Sequence, residues 1–272
     1  MSESSPLVRA LRLSKTYVQR RPWSRKEFTV HALTGIDLAI RPGSTFALVG
    51  ESGSGKSTLA LCLARLEQPT AGEIWFDGRD LLGLKGQDLM RARCQIQLIF
   101  QETAASLNPR MTAEQIITEP MNIHSAGTQT ERRNRAVDLM DKVGLPPAWL
   151  KRRPHQFSGG QRQRLAIARA LALQPRFLIL DEAFSGLDLA VQAQIVALLQ
   201  SLQAAGGLTY LFISHDLSLM GAIADEIAIL HEGQIVEQGS AADLFSRPRH
   251  PQTQALLEAI PGRHGYGMPN FG

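Results

Sequence analysis

A chain of 272 residues that is 44% hydrophobic and 20% charged has the composition of a globular protein with a sizeable core. Its two cysteines, Cys62 and Cys94, exclude a disulfide framework and a Cys-x-x-Cys site, and we expect each to be a small buried or half-buried thiol. No stretch approaches the ~18 apolar residues of a membrane span, and the N-terminus lacks the features of a signal peptide. We therefore expect a soluble, intracellular protein.

The net charge of +4 is mildly basic and permits contact with nucleic acid or an anionic membrane, although a solvated surface explains it better.

The first part of the chain is predicted to form strands joined by turns. A strand is predicted over 8–13, and the basic segment 18–27 after it is predicted to be a long turn with solvated charges. A second strand over 30–40 leads through a turn at 41–43 into a short apolar strand over 45–49.

Later elements alternate between strands and helices. Strands are predicted at 72–78, 96–100, 176–180 and 210–214, and the last two are apolar runs of the kind buried on both faces of a parallel sheet. Helices are predicted at 113–119, 131–143 and 189–203, and a hairpin over 227–236. The glycine-rich tail from residue 261 is expected to be mobile.

A phosphate-binding loop follows the strand over 45–49. It fits the pattern Gly-x-x-x-x-Gly-Lys-Ser/Thr with Gly50, Glu51, Ser52, Gly53, Ser54, Gly55, Lys56, Ser57 and Thr58. Glycines let the loop curl so that its N–H groups point at phosphate oxygens, and the helix start adds further donors. Lys56 should reach the β- and γ-phosphates, and the Ser57 hydroxyl should coordinate Mg²⁺. The loop predicts binding of a nucleoside triphosphate.

A second anion-binding element lies at 158–161, where Ser158, Gly159, Gly160 and Gln161 precede a helical segment. Ser158 is a good N-cap, so the segment would present a hydroxyl and several amides at a helix N-terminus. An ordinary capped helix is the alternative interpretation. Because one nucleotide does not need two such cradles from one chain, two chains facing head to tail would supply both to each nucleotide.

The segment 158–161 resembles the signature of ATP-binding cassette (ABC) proteins, and the other elements of that family follow in order. The matching residues are Tyr17 for adenine stacking, Gln101 for sensing Mg²⁺ and the γ-phosphate, Asp181 and Glu182 for the second nucleotide motif, Asp188 for the loop that links the two sites of a dimer, and His215 for the switch histidine. The resemblance covers roughly residues 7–261.

The resemblance implies an α/β fold in which a P-loop NTPase (RecA-like) core carries an antiparallel β subdomain and a helical subdomain. It implies a single nucleotide-binding domain over 1–272, with the signature-bearing helical subdomain at about 102–160 and a C-terminal extension at about 246–272.

The chemistry of the matched residues suits ATP hydrolysis. Asp181 at a strand end can bind Mg²⁺, and Glu182 beside it can act as general base on the attacking water. His215 can donate a hydrogen bond to the γ-phosphate, and Gln101 can bind the metal through its amide oxygen. Taken singly, an Asp-Glu pair can be a helix start, a histidine can be structural, and Tyr17 can be a packing residue.

Transport is the favoured role within the family. The segment between Lys56 and Ser158 has no room for the long coiled coil of repair members, and the chain holds one cassette rather than the two of ribosomal members. The segments 105–111 and 247–257 resemble the oligopeptide, dipeptide and nickel importer family. The expected function is ATP hydrolysis that powers import of peptides, nickel or related small solutes, and the alternative is a soluble ABC ATPase acting on nucleic acid or the ribosome. A regulatory module without catalysis is disfavoured by Lys56, Glu182 and His215.

The importer resemblance also implies partners. We expect a second ABC ATPase subunit (identical or paralogous), two integral membrane permease subunits, an extracytoplasmic solute-binding protein and no direct nucleic-acid partner. The region after Gln101 should receive coupling helices of the membrane subunits, and a helical subdomain without a partner is the alternative. The chain would lie at the cytoplasmic face of the cell membrane.

Three residues depart from the family pattern: Phe157 replaces a leucine, Ala183 a proline and Gly186 an alanine. None of these changes removes a functional group, so hydrolysis is still expected. Some relatives carry a C-terminal cysteine cluster for an iron–sulfur centre. Because no cysteine follows Cys94, we expect ATP and Mg²⁺ but no iron–sulfur cluster.

Overall fold

A computed structural model describes residues 5–20, 27–101 and 106–260. The chain divides into two compact units, the first formed by Met1–Leu89 with Thr209–Gly272 and the second by Met90–Leu208. The tail expected to be mobile, 261–272, lies outside the described residues, as does the middle of the expected turn at 21–26.

An antiparallel sheet in the first unit contains β1 (Val8–Arg20), β2 (Glu27–Ile40), β4 (Ala71–Phe76) and β5 (Arg79–Asp80). Their order in the sheet is β2-β1-β4-β5. The prediction of a turn throughout 18–27 was wrong at both ends, since Val18 pairs with Thr29 and Arg20 pairs with Glu27. Cross-strand pairing extends the ribbon here despite its basic sequence, because a polar strand needs only a hydrogen-bonded partner.

The other sheet strands of the first unit are β3 (Thr45–Val49), β8 (Thr209–Ser214), β9 (Glu226–His231) and β10 (Gln234–Ser240). Strand β3 pairs in parallel with both β8 and β9, and β10 closes the predicted hairpin antiparallel to β9. All residues of β3 and β8 are buried, as their continuous apolar runs predict. The helices of this unit are α1 (Lys56–Leu63), α7 (Leu217–Ile223), α8 (Ala241–Ser246) and α9 (Pro251–Glu258).

The second unit contains the parallel strands β6 (Ile96–Ile99) and β7 (Phe177–Asp181). Its helices are α2 (Gly86–Gln95, which begins just before the unit boundary), α3 (Ala113–Ile123), α4 (Gln129–Lys142), α5 (Gly159–Leu171) and α6 (Leu189–Gly206), with short 3₁₀ turns at Pro147–Lys151 and Pro154–Gln156. Capping boxes begin α3, α4 and α5 at Thr112, Thr128 and Ser158. Helix α2 was not predicted, and it buries none of its residues.

Helix α6 is long and apolar enough to cross a membrane by length and composition, contrary to the expectation that no segment would be. Its residues Ile195 and Leu199 are buried in the folded chain. The helix also carries Gln192, Gln194, Gln200 and Gln203, whose amides would be costly in hydrocarbon. Only 11% of the helix is buried in the folded chain, so it is these four amides, and not burial, that disfavour a membrane span.

The two cysteines are unpaired, as expected: Cys62 is buried and Cys94 is half-buried. Burial raises the pKa of the Cys62 thiol to about 11, so it stays protonated at neutral pH.

Candidate nucleotide site

The phosphate loop connects β3 to α1, and two of its positions accept only glycine. A Cβ atom on Gly50 would lie 2.2 Å from the carbonyl oxygen of Leu230 on the neighbouring strand. Gly55 has a φ angle of 108°, and a Cβ atom there would lie 2.3 Å from the carbonyl oxygen of Ala32. The close approach of other backbone segments thus imposes the two glycines that define the motif.

Lys56 begins α1 and is 6% exposed. Its Nζ donates hydrogen bonds to the carbonyl oxygens of Gly50 at 2.7 Å and Glu51 at 2.8 Å, which holds the ammonium group against the loop. Gly55 occupies the N-cap and gives α1 no side-chain cap, so the first N–H groups and the positive end of the helix dipole face the loop. This arrangement suits a polyanion such as a triphosphate.

The other loop residues differ in exposure. Glu51, Ser52, Gly53 and Ser57 are exposed, Thr58 is half-buried, and Ser54 is 6% exposed. Ser57 lies in the first turn of α1, and its role toward Mg²⁺ stays a prediction.

His215 follows β8 directly and is exposed. Because Val49 at the end of β3 pairs with Ser214 at the end of β8, the phosphate loop and His215 both leave the carboxyl edge of neighbouring parallel strands. Open α/β sheets bind their ligands at this edge. The first unit therefore brings these two predicted elements together.

The second unit makes the corresponding arrangement with Gln101, Asp181 and Glu182. Strands β6 and β7 pair in parallel up to Ile99 and Leu180, so the three residues lie at or just after the carboxyl ends of adjacent strands. Asp181 is the last residue of β7 and is 6% exposed, whereas Gln101 is exposed and Glu182 is half-buried.

Glu182 has a φ angle of 50°, a left-handed backbone conformation that is uncommon for a residue other than glycine. Such strain persists where the surrounding structure imposes it, and it is frequent at functional sites. No sequence motif signals this feature.

Ser158 and Gln161 form a reciprocal cap at the start of α5. The Gln161 N–H donates to Ser158 Oγ at 3.3 Å, and the Ser158 N–H donates to Gln161 Oε1 at 3.0 Å. The N-cap prediction for Ser158 is confirmed, and within one chain this segment is a capped helix. Its role toward a nucleotide held by another chain stays a prediction.

A cavity of about 260 Å³ lies beside this helix start. Its lining includes Ser158, Gly160 and Gln161 together with Trp149 and Arg164. The sequence analysis did not identify Trp149 or Arg164, because neither belongs to a motif. Trp149 lies in the 3₁₀ turn Pro147–Lys151, and Arg164 lies within α5, after the signature segment. An Arg164 guanidinium near a helix N-terminus adds positive charge to this cavity.

The remaining predicted residues have local partners. Asp188 caps α6 by accepting a hydrogen bond from the Val191 N–H at 2.9 Å. Tyr17 on β1 is half-buried and pairs across the ribbon with Val30. The roles of Asp188 in a dimer and of Tyr17 toward adenine stay predictions.

The model of the ABC transporter family matches residues 33–185. The chain belongs to the ABC transporter family. The match spans the phosphate loop, Gln101, the signature segment 158–161 and the pair Asp181 and Glu182.

Curated members of the ABC family resemble the chain over most of its length. A putative peptide import ATP-binding protein of Brucella ovis is 47% identical over 94% of this chain and 79% of its own. The dipeptide transport ATP-binding protein DppF of Escherichia coli is 46% identical over 94% of this chain and 77% of its own.

Solved ABC structures share the fold. The dimeric post-hydrolysis structure of the ATP-binding cassette MJ0796 with ADP and Pi matches with a TM-score of 0.75 and 30% identity, covering 86% of this chain and 98% of that one. The cbiO1 protein of Clostridium perfringens, part of an ABC transporter complex, matches with a TM-score of 0.77 and 26% identity, covering 94% and 100%. The predicted P-loop NTPase fold is confirmed.

Proposed function

We propose that this ABC protein is the ATP-hydrolysing subunit of a peptide importer and that it works through separate membrane subunits. The supporting observation is the 46–47% identity, over 94% of the chain, to proteins named for peptide import and dipeptide transport. Of the solutes expected from sequence, these names favour peptides over nickel. They do not favour the alternative of a soluble ATPase acting on nucleic acid or the ribosome.

The phosphate loop would bind the triphosphate of ATP. Lys56 would place its ammonium group on the β- and γ-phosphates, and the N–H groups at the start of α1 would bind phosphate oxygens. In the structure, the hydrogen bonds of Lys56 to the Gly50 and Glu51 carbonyl oxygens keep the ammonium group at the loop. Lys56 would exchange those bonds for phosphate contacts.

The residues Ser57, Gln101 and Asp181 offer hydroxyl, amide and carboxylate oxygens, a donor set that suits Mg²⁺. Bound there, Mg²⁺ would neutralise charge on the β- and γ-phosphates. Glu182 would take a proton from the attacking water, and His215 would donate a hydrogen bond to the γ-phosphate.

The second ATP contact would come from another cassette. Ser158, Gly159, Gly160 and Gln161 would close on the γ-phosphate held by the partner's phosphate loop, and Asp188 would lie in the loop that links the two sites. Closure would move two permease subunits at the cytoplasmic face of the membrane, and hydrolysis would reopen the dimer. A solute-binding protein on the other side would deliver the peptide.

Glu182→Gln tests the catalytic assignment. The variant keeps the shape of the side chain but cannot act as a base, so ATP turnover should fall by at least about a hundredfold while ATP binding is preserved and the closed dimer accumulates. Glu258→Gln, at an exposed position on α9, is the matched control and should turn over like the wild type. An active Glu182→Gln protein would remove Glu182 from this role.

A mild-detergent pull-down from the native membrane tests the transport assignment. Recovery of two polytopic subunits with a second cassette supports the importer. Recovery of ribosomes or nucleic acid without any membrane protein would overturn it and leave the ATPase site unaffected.

A further inference from the structure

The side chain of Lys15, in the middle of β1, is mostly buried and is held in place by hydrogen bonds. It is 12% exposed, whereas most lysines are mainly exposed. Its Nζ donates hydrogen bonds to the carboxylate of Glu67 and, at 2.8 Å, to the carbonyl oxygen of Gln68. Both partners lie in the turn after α1, so the ammonium group is fixed between the ribbon and this turn.

The same ammonium group lies over an aromatic ring. Lys15 Nζ is 4.8 Å from the centroid of the Tyr17 ring, within the range of a cation–π contact. A ring covered by a cation on one face has a single face left for stacking. Val30, the cross-strand partner of Tyr17, is 48% exposed. Directly paired residues project to the same side of an antiparallel ribbon, so Tyr17 and Val30 together form an apolar surface that faces solvent.

We propose that Lys15 is a positioning residue for nucleotide binding: held by Glu67 and Gln68, it fixes the Tyr17 ring so that the opposite face stacks on the adenine base. This inference rests on the proposed function, in which Tyr17 contacts adenine. It adds a specific contribution from three residues that belong to no nucleotide motif.

The charge on Lys15 also favours the stacked arrangement. Two π faces repel through their negative quadrupoles, and a cation beneath the tyrosine draws electron density away from the face presented to the base. The hydrogen bond with Glu67 raises the pKa of Lys15 above its already high ordinary value, so the group stays charged at every physiological pH.

The test separates base recognition from phosphate binding. ATP and inorganic tripolyphosphate are titrated calorimetrically, in the presence of Mg²⁺, into the purified wild-type chain and into Lys15→Met, Lys15→Arg and Tyr17→Ala. Lys15→Met should weaken ATP binding about threefold and leave tripolyphosphate binding unchanged, since only ATP has a base to stack. Lys15→Arg, which keeps a cation over the ring, should restore ATP affinity.

A double variant makes the test specific for the ring. If Lys15 acts through Tyr17, Lys15→Met should have no further effect in a Tyr17→Ala background. Glu67→Gln, which weakens the anchor without touching the ring, should give a smaller loss of ATP affinity and provides the same readout if Lys15→Met fails to fold.

Three outcomes would overturn the inference. Equal weakening of ATP and tripolyphosphate would mean that Lys15 only stabilises the fold. Additive losses in the double variant would mean that Lys15 does not act through the ring. ATP binding that is insensitive to Tyr17→Ala would remove the adenine contact, and with it this inference, while the ATPase assignment would remain.

Discussion

Gln252 on the C-terminal helix α9 donates a hydrogen bond from Nε2 to Oε1 of Glu51 in the phosphate loop, at 2.9 Å. The backbone carbonyl of the same glutamate accepts a hydrogen bond from Lys56 Nζ at 2.8 Å. Glu51 is therefore held both by Lys56, in the same loop, and by Gln252 on α9, far along the chain. The contact links the C-terminal segment of the first unit to the part that would bind phosphate.

Gln252→Glu should release α9 from the loop. The change places a carboxylate beside Glu51, and like charges at hydrogen-bonding distance repel. Amide hydrogen exchange should rise both in α9 and in the loop over 50–55. Gln254→Glu adds the same charge to the same helix, but Gln254 donates to the Pro248 carbonyl within its own segment at 3.1 Å. If the two variants raise loop exchange equally, the Gln252 contact is not what holds the loop.

The attachment of α9 should be sensitive to acid through Glu237 on β10. Its carboxylate accepts hydrogen bonds from the backbone N–H groups of Arg249 at 2.9 Å and His250 at 3.0 Å, immediately before the helix. Burial alone would raise the pKa of Glu237, but hydrogen bonds to the charged form outweigh burial and hold the pKa below its usual value. The folded chain thus binds this proton less readily than the unfolded chain.

The sign of the pH effect follows from that lowered pKa. The stabilisation is fully present above the ordinary glutamate pKa of about 4.3 and is lost as the pH falls through the lower value of the folded state. The free energy of unfolding, measured by urea titration, should therefore fall more for the wild type than for Glu237→Gln as the pH is lowered from 6 through the acid range. Glu258→Gln serves as the control and should follow the wild type. Parallel curves for wild type and Glu237→Gln would contradict the prediction.

The sequence predicted the parts of the site that depend on neighbours in the chain. The phosphate loop could be assigned because its glycines, lysine and flanking strand are contiguous, and the strand ends at Ser214 and Leu180 could be assigned from continuous apolar runs. The Gln252 contact with Glu51 could not, because neither residue's surroundings indicate a partner so distant in the sequence. The left-handed backbone of Glu182 could not be predicted either, because residues other than glycine rarely adopt it.

The misjudged elements have related explanations. Helix α2 buries no side chain, so no fully buried apolar face marks it as a helix. The ribbon of β1 and β2 continues through Arg20 and Glu27 because each strand supplies hydrogen-bond partners to the other. In the ribbon, the structure is set by cross-strand hydrogen bonds that composition does not encode.

Ser158 allows the capping role and the nucleotide role of the signature segment to be separated. Thr128 makes the same capping box at the start of α4 in the same unit, with its Oγ1 accepting the Glu131 N–H at 3.3 Å. Replacing either N-cap residue by alanine removes one side-chain acceptor from a helix start and should lower the free energy of unfolding by about 1 kcal/mol. Ser158→Ala and Thr128→Ala are therefore matched in their effect on stability.

Their effects on ATP turnover should differ. If Ser158 contacts the nucleotide of a partner cassette, Ser158→Ala should lower turnover at least about tenfold, the scale expected for losing one hydrogen bond to a charged group. Thr128→Ala should keep wild-type turnover, since Thr128 only caps its helix. Denaturant unfolding and steady-state ATP hydrolysis measured on both variants give the comparison. Equal turnover in the two proteins would mean that Ser158 only caps its helix, which is the role that the contacts within one chain show.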